Sequence, residues 1–96
     1  MDVFYVYILT KKNHSVLYVG RTKQLKKRLY QHAHNTHKSF TGRYNVNKLV
    51  YFETTRYVNN AIQRERQIKK WNREWKISLI NSLIPDWKDL SEYISD

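Results

Sequence analysis

The sequence predicts one small α/β domain whose sheet is at least partly antiparallel. Three short segments rich in β-branched and aromatic residues have the pattern of strands, at residues 3–10, 16–20 and 49–54. Segments with helical periodicity separate the second strand from the third and follow the third. Because the chain has only 96 residues, all of it, 1–96, is expected to form a single domain.

The first two strands are expected to pair as a hairpin, VFYVYILT with VLYVG, around the short loop KKNH. Pairing aliphatic residues such as Val6 with Val19 keeps one face continuously apolar, and the same register places Tyr7 directly opposite Tyr18. The tyrosine pair is either ordinary cross-strand packing or two hydroxyls aimed at one point.

The first predicted helix, residues 23–34, carries a histidine on its core-facing side. Leu25, Leu29 and His32 share one stripe, and Arg28 lies one turn before His32 at the edge of that stripe. An ordinary amphipathic helix would have a leucine in the place of His32, so the imidazole and the guanidinium need an explanation.

The rest of the chain has the same mixed pattern. The expected elements are a polar, basic loop over 35–48 containing Phe40 and Tyr44, a helix over about 60–72 capped by Asn59 or Asn60, a helix over about 73–83, and a last helix after Pro85.

Charge and composition favour a polyanionic partner. Lys and Arg total 18 against 8 Asp and Glu, a net charge of +10, and 15% of the residues are aromatic. Nucleic acid is the commonest partner of such a surface. The chain has no cysteine, no signal-peptide pattern and no apolar run long enough to cross a membrane, so we expect a cytoplasmic protein that does not enter membranes.

Glu65 is the single acid of the long predicted helix and lies on its apolar side, between Ile62 and Ile68. A carboxylate in that position is costly unless a cation pairs with it. The residues leave two alternatives open: an internal salt bridge, for example to Arg28, or a metal ligand.

Taken together, these placements match the requirements of phosphodiester cleavage, which are a proton acceptor, a cation at the phosphate and a metal ion. Mg²⁺ often takes only one or two protein carboxylates plus the phosphate itself. One glutamate would therefore be enough.

The same residues resemble the GIY-YIG nuclease family. The segment YVY (residues 5–7), the segment YVG (residues 18–20), Arg28, His32 and Glu65 follow its order and spacing over nearly the whole chain. The end of the chain is similar to the compact stand-alone branch of that family, which resembles the nuclease domains of the ABC excinuclease and of some homing endonucleases. The resemblance implies an α+β fold, with a three-stranded antiparallel sheet flanked by helices.

Activity and site roles follow from this resemblance. It implies a DNA endonuclease of repair or recombination that uses Mg²⁺ or Mn²⁺ as a monomer or weak dimer. The implied roles are general base for Tyr7, positioning of water and phosphate for Tyr18, phosphate stabilisation for Arg28, proton handling for His32 and metal binding for Glu65. Nearby cations are expected to lower the pKa of Tyr7. The cations expected to contact DNA are Arg21, Lys23, Lys27, Lys38, Arg43 and Lys69.

Three positions depart from the family pattern. Tyr5 replaces the first glycine of the signature, Ile84 replaces an asparagine before the late proline, and Arg21 stands where some members have a lysine. The alternative function is therefore a nucleic-acid-binding module that cuts weakly or not at all. A purely structural or protein-interaction domain would leave the spacing of the five polar residues to chance.

Overall fold

Three antiparallel strands in the order β2-β1-β3 form the sheet in a computed structural model of the chain. The structure describes residues 2–34 and 45–94. The elements are β1 (Phe4–Thr10), β2 (Leu17–Thr22), α1 (Leu25–His34), β3 (Lys48–Thr55), α2 (Val58–Lys70), α3 (Arg73–Leu83) and a short 3-10 helix (Ser91–Tyr93). The predicted fold class, a small antiparallel sheet flanked by helices, is confirmed.

The register of the β1–β2 hairpin differs from the predicted one by two residues. Tyr7 pairs with Gly20, and Tyr18 pairs with Leu9, so the expected pairing of the two tyrosines is wrong. The reason is that β2 continues beyond Gly20 to Thr22, which leaves a longer loop. Since side chains alternate along a strand, a shift of two residues leaves each one on its predicted face. Tyr7 and Tyr18 therefore still share a face, as diagonal neighbours.

The two faces of the sheet carry different helices. The α1 residue His32 contacts Tyr7, so α1 covers the face to which Tyr7 points. The α2 residue Arg64 binds Glu53, which pairs with Val6 and therefore points to the opposite face. The sheet thus separates α1 from α2.

The core sits on both sides of the central strand. Successive side chains of β1 from Val6 to Thr10 are at most 1% exposed, which is the pattern of a strand covered on both faces. The α1 stripe is buried as predicted, through Leu25, Leu29 and His32. Burial of an imidazole among these apolar side chains requires a hydrogen-bonding partner, which the sheet supplies.

Helix boundaries differ from the sequence prediction at two places. Asn59 and Asn60 lie inside α2, which begins at Val58, so neither is the expected cap. Asn72 instead caps α3, because its side chain accepts a hydrogen bond from the backbone N–H of Trp75 at 2.9 Å. An asparagine at this position supplies an acceptor to a free N–H of the first turn.

The segment after α3 packs along β3 rather than forming the predicted full helix. Its only helical part is the 3-10 turn Ser91–Tyr93, within residues 45–94. The backbone N–H of Leu90 donates to the carbonyl of Leu49 at 2.8 Å, which fixes the segment to the strand. Ile84 is 8% exposed and belongs to the hydrophobic core. The departure at this position therefore fills the core. In the described ranges, none of the helices is both long and apolar enough for a membrane span.

Candidate active site

Tyr7, Tyr18 and His32 meet between α1 and the sheet. The Tyr7 hydroxyl oxygen lies 2.9 Å from Nε2 of His32, within hydrogen-bond distance. The Tyr18 ring centre lies 6.5 Å from that of Tyr7 and 5.3 Å from that of His32. Tyr7 and His32 are only 1% and 7% exposed, whereas Tyr18 is half-buried at the edge strand. The three rings therefore form one buried cluster that opens towards β2.

Gly20 provides the space for the Tyr7 hydroxyl. A Cβ atom at this position would lie 2.6 Å from the hydroxyl oxygen and 2.7 Å from Cζ of Tyr7, far closer than two such atoms can approach. The glycine of the YVG segment is thus required by the tyrosine that lies against it.

Arg28 lies at the mouth of the cluster, one turn of α1 before His32. It donates a hydrogen bond to the side-chain oxygen of Gln31 at 3.3 Å. Arg28, Gln31 and Lys27 line a small pocket of about 260 Å³ together with Thr22 and Gln24. Gln31 was missed in the sequence, although its three-residue spacing from Arg28 places both on one side of a helix.

Burial dominates the ionisation of Tyr7. Loss of water contact and the neighbouring Tyr18 raise its pKa to about 12, while the positive charge of Arg28 acts in the opposite direction. The expectation that nearby cations lower the pKa of Tyr7 is therefore wrong in this structure. Its hydroxyl is protonated at neutral pH.

His32 is neutral for the same physical reason. Burial lowers the pKa of its imidazole to about 4, and the charge of Arg28 acts in the same direction. The imidazole is therefore uncharged at pH 7 and cannot assist Tyr7 as a cation. With its proton on Nδ1, Nε2 is an acceptor for the proton of Tyr7.

Glu65 reaches the same edge of the sheet from the opposite layer. Its carboxylate lies 3.6 Å from Nε of Arg21 and 3.4 Å from Nζ of Lys69, with the glutamate side chain 14% exposed. Arg21 follows Gly20 directly, so the carboxylate lies near the strand on which the Tyr7 hydroxyl rests. Its charge still acts on Tyr7 and raises the pKa of that hydroxyl. The ion-pair partners of Glu65 are therefore Arg21 and Lys69 rather than Arg28.

The structure thus brings Tyr7, Tyr18, Arg28 and His32 together on one face, and it carries Glu65 on the helix that covers the other face. Among the described residues, no group of three or more potential metal ligands occurs. The donor set fits a hard cation such as Mg²⁺, held by one carboxylate and completing its shell with water and phosphate oxygens. It does not fit an ion held in an all-protein cage.

The cations expected to contact DNA have diverse surroundings. Arg21 and Lys69 pair with Glu65, whereas Lys23 lies 3.6 Å from a carboxylate oxygen of Asp2. Lys27 lines the small pocket beside Arg28. Lys38 and Arg43, like Phe40 and Tyr44, lie outside the described residues.

A second buried carboxylate on the α2 face offers a comparison for Glu65. Glu53 accepts a hydrogen bond from Nε of Arg64 at 2.7 Å and another from the hydroxyl of Tyr51. Burial and Glu53 raise the pKa of Tyr51 to about 12. The sequence analysis did not identify this network, which lies on the face of the sheet opposite Tyr7.

Comparisons with known proteins agree with this geometry. Residues 3–78 match the family model described as the GIY-YIG catalytic domain. A UPF0213 protein of Clostridium perfringens is 42% identical over 78 residues, covering 81% of this chain and 83% of the relative. A UPF0213 protein of Staphylococcus saprophyticus is 35% identical over 81 residues, covering 84% of this chain and 98% of the relative.

The fold also has a solved counterpart. The solution NMR structure of a UPF0213 protein from Bacillus halodurans superposes with a TM-score of 0.59 at 23% identity, over 98% of this chain and 99% of that one. This likeness concerns the fold, and the names of the UPF0213 relatives state no activity. The chain therefore belongs to the GIY-YIG family, whose members are nucleases that generally depend on a divalent metal ion.

Proposed function

We propose that the protein is a DNA endonuclease that hydrolyses phosphodiester bonds with Tyr7 as its general base. The observation that carries the proposal is the 2.9 Å contact between the Tyr7 hydroxyl and Nε2 of a neutral, buried His32. A protonated tyrosine cannot take a proton from water unless it passes its own proton on. The imidazole is the acceptor that makes this possible.

The proton transfers balance in a single relay. Water gives a proton to the Tyr7 oxygen as that oxygen passes its own proton to Nε2 of His32. The hydroxide so formed attacks phosphorus, the bond to the leaving oxygen breaks, and that oxygen takes a proton from solvent. Because the pKa of His32 is about 4, the imidazolium then returns its proton to solvent and the site is reset.

Arg28 and Tyr18 bind the phosphate around this relay. Arg28 lies beside Lys27 in the pocket at the mouth of the cluster, where two cations can offset the charge that grows on the phosphate oxygens. Tyr18, half-buried 5.3 Å from the His32 ring by centre-to-centre distance, would position the water and the phosphate.

Glu65 is the residue that would hold Mg²⁺ or Mn²⁺. When bound, the ion supplies Lewis-acid stabilisation of charge on the phosphate. Glu65 is neutralised by Arg21 and Lys69, so one of these ion pairs must open for the carboxylate to bind another cation. Arg21 and Lys69 would then be released at the edge of the site to contact DNA.

The same two ion pairs favour the second candidate function, a nucleic-acid-binding module that does not cut. In that case Glu65 is a structural partner of Arg21 and Lys69, and Tyr7 stays protonated. The cytoplasmic location, the role in repair or recombination and the monomeric or weakly dimeric state are further predictions of the nuclease proposal.

Glu65→Gln, compared with Glu53→Gln, tests the proposal. Both changes remove the charge of a carboxylate that is paired with a cation on α2, but only Glu65 lies near the Tyr7 edge. Nicking of supercoiled plasmid with Mg²⁺ or Mn²⁺ should fall by orders of magnitude in Glu65→Gln and persist in Glu53→Gln. DNA binding by Glu65→Gln should hold or strengthen, since a negative charge leaves a surface that meets phosphate.

The thermal stability of Glu65→Gln separates the two candidate functions further. Arg21 and Lys69 have 41% and 53% exposed side chains, so both remain hydrated without Glu65. The loss of stability should therefore be within about 1 kcal/mol, as for exposed pairs. Wild-type nicking by Glu65→Gln would exclude the metal role. A wild-type protein that binds DNA but nicks with neither metal would establish the binding module.

A further inference from the structure

We infer that the outer surface of α1 is a stacking site for an unpaired DNA base a few nucleotides from the phosphate held at Arg28. This names the substrate class for the proposed function and rests on it: a duplex with a single-stranded overhang or flap rather than a blunt duplex. The inference starts from Tyr30, which is 66% exposed at the middle of the helix that carries Arg28 and His32.

The sequence of α1 makes its outer surface suited to a polyanion. The helix, LKKRLYQHAH, contains no acidic residue, and its exposed positions include Lys26, Lys27, Gln31 and His34. A nucleic-acid strand meets no like charge anywhere along this helix. Basic side chains interleaved with an exposed aromatic ring are the typical composition of a single-strand binding surface.

Tyr30 is held in place by a neighbouring ring. The ring centres of Tyr30 and His34 are 4.0 Å apart, with the ring planes at 83°, an edge-to-face contact between residues one turn apart. This contact restricts the Tyr30 rotamer before any ligand arrives. A ring that is already ordered and mostly exposed loses less conformational entropy when a base stacks on it.

The order of side chains around α1 defines a path from the proposed cutting site to this ring. With about 3.6 residues per turn, Arg28 borders the buried stripe, Gln31 and Lys27 come next around the helix, and Tyr30 lies on the far side. Lys27 and Gln31 line the same small pocket as Arg28, so the path is polar and open from its first step.

The dimensions agree with a short single strand. A helix with its side chains is about 10–12 Å across, which is about three nucleotides at the ~3.4 Å spacing of stacked bases in one strand. A strand whose phosphate lies at Arg28 can therefore pass Lys27 and place a base on Tyr30. In an intact duplex each base faces its partner and cannot turn towards the ring.

Other exposed aromatic rings in residues 2–34 and 45–94 serve as controls. Tyr57 is 68% exposed but lies before α2, outside the path along α1. Tyr57→Ala thus removes the same kind of side chain at almost the same exposure. Alanine is also the best helix former, so Tyr30→Ala should leave α1 intact.

The experiment is equilibrium binding in EDTA, so that cutting does not enter. Duplexes with blunt ends, 5′ overhangs or 3′ overhangs carry 2-aminopurine at successive overhang positions, because its fluorescence falls on stacking. We expect tighter binding of one overhang type and quenching at a position a few nucleotides from the junction. Tyr30→Ala should lose the quenching and reduce the preference for overhang over blunt duplex by about five- to 150-fold. Tyr30→Phe and Tyr57→Ala should keep both.

The inference is overturned if the wild type shows no preference for an overhang, or if Tyr30→Ala retains both the preference and the quenching. Equal losses in Tyr57→Ala would also overturn it. If Tyr30→Ala does not fold, Tyr30→Gln removes the ring while keeping a long side chain on the exposed helix surface. Because this measurement needs no metal, a wild type that fails to nick plasmid removes the proposed function and leaves the stacking result to stand or fall by itself.

Discussion

The hydroxyl oxygen of Tyr7 lies 2.9 Å from Nε2 of His32, and both groups are uncharged at pH 7. Burial produces this state by opposite shifts, because it raises the pKa of an acid that ionises to an anion and lowers that of a base that ionises to a cation. The pair is therefore arranged to move a proton without holding a net charge in the core.

The first prediction concerns stability in acid. The imidazole of His32 has a pKa of about 4 when folded against an ordinary value of 6.5, so between these pH values the unfolded chain binds a proton that the folded chain does not. The free energy of unfolding should thus fall as pH drops from 6.5 to about 4, by up to about 3 kcal/mol from this residue.

Urea unfolding at a series of pH values measures this contribution as the difference between the wild type and His32→Gln. The difference should shrink as the pH falls and level off below about 4. His34→Gln, an exposed histidine on the same helix, should follow the wild type. A His32→Gln variant that loses stability in acid as steeply as the wild type would contradict the assignment.

The second prediction concerns the contact between Gly20 and Tyr7. Gly20→Ala would place a Cβ atom 2.6 Å from the Tyr7 hydroxyl oxygen, so the ring must move and its bond to His32 must lengthen or break. We expect a cost of about 1–3 kcal/mol in the free energy of unfolding, as for other overpacked sites.

A double-mutant cycle isolates that contact. In a Tyr7→Leu background the aromatic ring is absent, so Gly20→Ala should cost much less than in the wild type. Thermal or urea unfolding of the four proteins gives the coupling energy. Equal costs in the two backgrounds would show that Gly20 is needed for a reason other than Tyr7.

The third prediction concerns the salt dependence of DNA binding. Each phosphate that a lysine neutralises contributes about 0.9 to the slope of log affinity against log salt. Lys27→Ala should therefore lower the slope by about that amount, because Lys27 lines the pocket beside Arg28. Lys88→Ala is the matched control, since Lys88 lies over the Tyr93 ring at 5.1 Å, in the segment after α3.

Fluorescence anisotropy with a labelled duplex at several salt concentrations provides the slopes. Equal slopes for wild type and Lys27→Ala would place the DNA away from α1. An equal reduction by Lys88→Ala would indicate binding spread over the whole basic surface instead of a path along this helix.

The sequence was sufficient for the strands, their faces and the buried stripe of α1, since each follows from a local period of apolar residues. Register was predicted incorrectly because it depends on where β2 ends, and Gly20 does not terminate the strand. The error left Tyr7 and Tyr18 on one face because it was an even number of residues. An error of one residue would have separated them.

Glu65 shows a different limit of sequence reasoning. Its position on the apolar side of α2 indicated that it needed a cationic partner, but the partner depends on which face of the sheet α2 covers. That is a long-range property, and the structure selects Arg21 and Lys69. The direction of the Tyr7 pKa shift was likewise wrong because the degree of burial, which outweighs the nearby charge of Arg28, cannot be read from spacing.

The placement of Glu65 and Tyr7 in separate layers has a consequence during synthesis of the chain. The residues up to His34 already contain both tyrosines, Arg28 and His32, whereas α2 emerges from the ribosome later. Domains complete their fold only when the last layer docks. A partly synthesised or truncated chain would hold the groups that handle protons without the carboxylate, so the cell's DNA would meet the complete set only in a finished molecule.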